Sequence, residues 1–64
     1  MSKKEMFDGM ADVIENAAKS GIEPEDVLGV ILLNAGILMN AIGTDQASAS
    51  NSGMKVTVNV VNQR

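Results

Sequence analysis

Met6, Phe7, Met10, Val13, Ile14, Ala17 and Ala18 recur at spacings of three and four, the period of an α-helix with one apolar face. Glu5, Asp8, Asp12 and Glu15 form an acidic stripe on the other side. Ser2, followed three residues later by Glu5, has the form of a capping box, in which each side chain satisfies a backbone N–H of the first turn. Lys19 follows Glu15 by four residues, the favourable order for an exposed pair worth roughly 0.3–0.5 kcal/mol. Gly21 suits the left-handed position after the helix, with Ile22 closing the end by apolar contact. Carboxylates at this density are ordinary for a solvated face, so the stripe is read as such and not as a docking surface for a basic partner.

A second helix is expected to start at Pro24, whose fixed φ and missing N–H suit the first helical position. Glu23 is then a weak N-cap, and Glu25 and Asp26 lie at the positive end of the dipole. Gly43 ends it. Residues 27–42 contain no charged side chain on any face. Within them Leu28, Ile31, Ala35, Leu38 and Ile42 trace one seam of alternating three- and four-residue steps. Val30, Leu33, Ile37 and Asn40 trace another on nearly the opposite side. The first helix can cover one seam only, which leaves the other for a second copy, another protein or lipid.

Gly29, Gly36 and Gly43 are seven residues apart and share a strip of the helix. An interior glycine costs about 1 kcal/mol against alanine, so Gly29 and Gly36 predict close approach of another backbone. The expected oligomer interface is therefore Gly29, Val30, Leu33, Gly36, Ile37 and Asn40. Asn34 and Asn40 are the strongly polar side chains of the run. Buried amides of this kind fix register, and around a symmetry axis they could bind a small polar ligand.

After Gly43 the pattern stops. Residues 44–53, TDQASASNSG, read as a flexible linker. Met54, Val56, Val58 and Val60 then alternate with Lys55, Thr57 and Asn59, which predicts a strand with one apolar face. No second strand is evident, so this one is expected to pair between chains or to add to a partner's sheet. The expected fold is mainly α: a helical hairpin that forms the oligomerisation domain (1–43), a flexible linker (44–53) and a C-terminal strand or tail (54–64).

Composition sharpens the expectation of self-association. At 64 residues the chain is one domain at most, and domains of this size lean on disulfides, metals or oligomerisation. There is no Cys and no His, so disulfides and the usual transition-metal ligands are out of reach and neither a metal nor a cofactor is expected. Phe7 is the sole aromatic, which leaves an aliphatic core of Met, Val, Ile, Leu and Ala. The net charge is −3, and Lys3, Lys4, Lys19, Lys55 and Arg64 are dispersed, giving no basic stripe for nucleic acid. The N-terminus lacks the apolar run of a secretory signal, and the absence of Cys suits a reducing cytoplasm.

Without His, Cys or Tyr, no constellation for acid–base or nucleophilic chemistry is visible, and the chain reads as a non-enzyme. The expected function is that of a small homo-oligomeric interaction protein, a regulator, inhibitor or assembly accessory that binds a protein partner. The alternatives are an oligomer with an inter-subunit small-molecule pocket and a small membrane protein. Against the last, the uncharged run spans about 24 Å, short of the roughly 20 residues a crossing normally takes.

Overall fold

A computed structural model describes residues 1–62, so the last two residues of the expected tail lie outside it. In chain order the elements are α1 (Lys3–Lys19), α2 (Pro24–Ile42), β1 (Gln46–Ser50) and β2 (Lys55–Asn59). The protein is mainly helical, with two helices followed by a two-stranded antiparallel sheet.

The helix ends follow from local chemistry. Ser2 Oγ accepts from the Glu5 N–H at 3.1 Å, and Glu5 Oε1 accepts from the Ser2 N–H at 3.2 Å, completing the capping box. Lys19 pairs with Glu15 at 3.2 Å, and Lys4 with Asp8 at 3.0 Å, both on exposed surface. At the other end Gly21 takes φ +85°, the Ile22 N–H reaches Ala17 O and the Gly21 N–H reaches Ala18 O, which is a Schellman ending. Pro24 opens α2 with Glu23 at the N-cap making no side-chain bond. Gly43, at φ +79°, closes it, with the Thr44 N–H on Met39 O.

The segment read as a flexible linker departs from expectation. Gln46–Ser50 is β1, and it pairs along its whole length with β2, from Gln46 opposite Asn59 to Ser50 opposite Lys55. Contrary to the expectation of a lone strand, the chain holds a second one of its own, and β2 needs no other chain to pair its inner edge. The turn between the strands is held by Asn51, whose Oδ1 accepts from the Gly53 N–H at 2.8 Å and the Met54 N–H at 3.0 Å. Neither Ser52 nor Gly53 takes positive φ, so this side chain does the work that a mirror-image turn does in most tight hairpins.

Side chains alternate across the sheet. Ala47, Ala49, Met54, Val56, Val58 and Val60 share one face, and Gln46, Ser48, Ser50, Lys55, Thr57 and Asn59 the other. The apolar face turns toward the helices: Val58 and Val60 are half-buried, and Val60 Cγ2 lies 3.9 Å from where a Cβ on Gly36 would stand.

The helices themselves are thinly packed. On α1 the only half-buried position is Ala17, in the last turn before the Gly21 corner. The expectation that α1 would cover one whole seam of α2 is thus not met: Leu28, Leu38 and Ile42 of that seam are exposed, while Ile31 and Ala35 are half-buried. Among the described residues Met39 alone is buried, at 4% exposure. The transfer of one such side chain is worth roughly 2–3 kcal/mol. That is small beside the roughly 1–2 kcal/mol that fixing each residue's backbone costs.

Two global measures agree. The radius of gyration is 13.2 Å, against about 10.7 Å for a compact chain of this length. The accessible surface is 5784 Å², about 1,900 Å² more than a folded 6.7-kDa monomer exposes on the usual size scaling.

Candidate interaction surface

α2 has two unlike sides. One carries Ile31 and Ala35, half-buried, and Met39, buried. The other carries Val30, Leu33 and Ile37, exposed at 59%, 71% and 69%, with Asn40 exposed at its end. These four are the second seam, and they form an open aliphatic strip with no charge along it. Gly29 and Gly36 are half-buried at the border of the two sides, and Gly36 receives Val60 of its own chain.

The asparagines do not converge. Six residues apart on a helix, Asn34 and Asn40 point about 120° from each other. Asn34 turns back on its own helix, its Nδ2 donating to Val30 O at 2.8 Å. Asn40 borders a shallow polar depression of about 380 Å³ with Gly43, Thr44, Asp45 and Asn62. Within one chain, then, the two amides line no common pocket.

A feature the sequence reading missed lies at the other end of the molecule. Met6, Phe7 and Met10 of α1 face Ala49, Met54 and Val56 of the hairpin across an apolar groove of about 680 Å³, with Lys3 at its rim. Phe7 is 71% exposed there. The signal was present in the chain as alternation: Gln46-Ala47-Ser48-Ala49-Ser50, then Asn51-Ser52-Gly53, then a β-branched run, is the order of a hairpin.

Among the described residues no group of three acidic side chains gathers to hold a metal ion. α2, at 19 residues, is long and apolar enough to cross a membrane by length and composition. Comparison with protein families, with characterised proteins and with solved structures finds no match.

Proposed function

We propose that this chain is the subunit of a homo-oligomer and acts by binding, as a small regulator, inhibitor or assembly accessory that engages a protein partner, with no catalytic role. One observation carries the reading. Each chain leaves about 1,900 Å² beyond the normal surface of its size uncovered, within the range that one subunit of an obligate homodimer buries. The uncharged strip of Val30, Leu33, Ile37 and Asn40, bordered by Gly29 and Gly36, is its central part. Self-association through this strip supplies the core that the single chain lacks, and the C-terminal strand Met54, Val56, Val58 and Val60 contributes to the contact between chains. The apolar groove between α1 and the hairpin tip is the surface left for the partner. A reducing cytoplasm suits a chain without Cys.

Native mass spectrometry of the protein, purified without detergent, tests the reading. A discrete homo-oligomer is expected; a soluble, cooperatively folded monomer overturns it.

The length and exposure of α2 favour a second reading, in which the open strip lies in lipid. Flotation with phosphatidylcholine vesicles separates the two. A protein that stays at the bottom of the gradient as a soluble oligomer belongs to the first, and one that floats and needs detergent for extraction belongs to the second.

A further inference from the structure

Backbone parity in the hairpin decides which residues offer free donors and acceptors. The Asn51 N–H bonds Met54 O at 2.9 Å and the Val60 N–H bonds Asp45 O at 2.8 Å. Bonded and non-bonded pairs alternate along an antiparallel ladder, so Ala47 with Val58 and Ala49 with Val56 are the bonded pairs between those two ends. The N–H and C=O groups of Lys55, Thr57 and Asn59 therefore point away from β1, and those of Gln46, Ser48 and Ser50 point away from β2.

The two edges are not equivalent. On β1 the Thr44 hydroxyl closes over Gln46, donating to its carbonyl at 2.9 Å and accepting from its N–H at 3.4 Å. Among the described residues no side chain occupies the β2 edge in this way, and β2 holds Val56, Thr57 and Val58, strong strand formers, where β1 holds Ala and Ser.

Resting on the homo-oligomer reading, we infer that β2 pairs antiparallel with β2 of a second copy about a twofold axis through Thr57. This register uses all three outward positions: Thr57 bonds Thr57 of the other copy, and Lys55 bonds Asn59 in both directions. Any shift leaves fewer bonded positions. It brings no two lysines opposite each other, so the one charge on this edge, which would guard against unwanted pairing, meets an amide. Val56 and Val58 become cross-strand neighbours at the closer, non-bonded positions on the apolar face, a favourable β-branched pairing. The product is a four-stranded sheet in the order β1-β2-β2-β1 with one continuous apolar face. One strand edge covers only part of the excess surface, so the open side of α2 is covered in the same assembly.

The chain has no Cys, which makes single-thiol variants clean. Thr57→Cys places two thiols at facing positions about 5.5 Å apart between Cα atoms, within disulfide reach. Ser48→Cys, on the same polar face, stands one strand further out in each copy. Mild oxidation at micromolar protein is expected to cross-link Thr57→Cys at least about tenfold faster than Ser48→Cys, because paired thiols experience millimolar local concentrations. Equal or reversed rates, repeated with a short bis-maleimide in place of oxidation, overturn the β2 edge while leaving a homo-oligomer seen by native mass spectrometry intact. A monomeric wild-type protein overturns both.

Discussion

The two sides of α2 are equally apolar in sequence and unequally covered in the structure. Ile31, Ala35 and Met39 on one side and Val30, Leu33 and Ile37 on the other are all uncharged and apolar, yet burial reaches only the first. Hydrophobicity along a helix thus states how much must be covered, while what covers it depends on the rest of the chain. Here the rest is a corner with α1 and a hairpin face of five small or β-branched side chains and Met54. That is enough for part of one side, since Leu28, Leu38 and Ile42 stay exposed.

The largest effect should come from charging the open side. In an isolated chain Leu33→Asp or Ile37→Asp touches exposed positions and would change stability by at most about 0.5 kcal/mol. In an assembly each would bury an unpaired carboxylate, a loss on the order of 3–5 kcal/mol. Loss of the oligomer and of cooperative folding together is expected, read by sedimentation and circular dichroism. A variant that remains folded and fully associated would remove the distinction between the sides as a guide to the interface.

Met39→Ala probes the covered side. Truncating a buried methionine costs roughly 2–5 kcal/mol, and the thin packing around this one places it near the lower end, about 2 kcal/mol. Urea unfolding at one fixed protein concentration is the measurement, because an oligomer's stability moves with concentration. A loss below about 0.5 kcal/mol, the surface range, would mean that Met39 is not the centre of any core.

Asn51→Ala acts one step further back, on the hairpin that supplies the cover. It removes the Oδ1 acceptor and with it both side-chain bonds of the turn, and two exposed hydrogen bonds are worth about 1 kcal/mol together. The expected sign of weakened cover is faster hydrogen exchange at Ala47 and Val58 with little change at α1. Uniform acceleration throughout would show that hairpin and helices open as one unit.

How much of this could be read from the chain depends on how local the determining chemistry is. Ser2 with Glu5, Gly21, Pro24 and Gly43 set the helix boundaries through contacts within a few residues, and all four appear in the structure as read. β1 could not be read with the same ease. Ala47 and Ala49 alternate with Gln and Ser, but alanine is so weakly apolar and so poor a strand former that the period is hard to see. What makes it a strand is β2, whose valines need a paired backbone to form a face. The same non-local cause explains the groove of Met6, Phe7, Met10 and Met54, since its two walls come from segments far apart in sequence. The open seam of α2, by contrast, was legible because no charge interrupts it.

The glycines at the border give the smallest effect and the finest test. Replacing an interior helical glycine with alanine favours the helix by up to about 1 kcal/mol. Nothing lies within 4 Å of the Cβ that Gly29→Ala would add, and at Gly36 the nearest atom is Val60 Cγ2 at an ordinary contact distance of 3.9 Å. Within a single chain both substitutions should therefore raise the melting temperature, by about 4–8 °C for a full 1 kcal/mol in a domain this small. Close approach of a second backbone along the glycine strip would reverse that sign. The reversal can occur at Gly29, which stands open, more readily than at Gly36, where Val60 already occupies the strip. Stabilisation by Gly36→Ala combined with weakened assembly in Gly29→Ala would place the helix–helix contact between subunits in the first half of α2. Stabilisation by both, with assembly unchanged, would move that contact off the glycines and onto Leu33 and Ile37 alone.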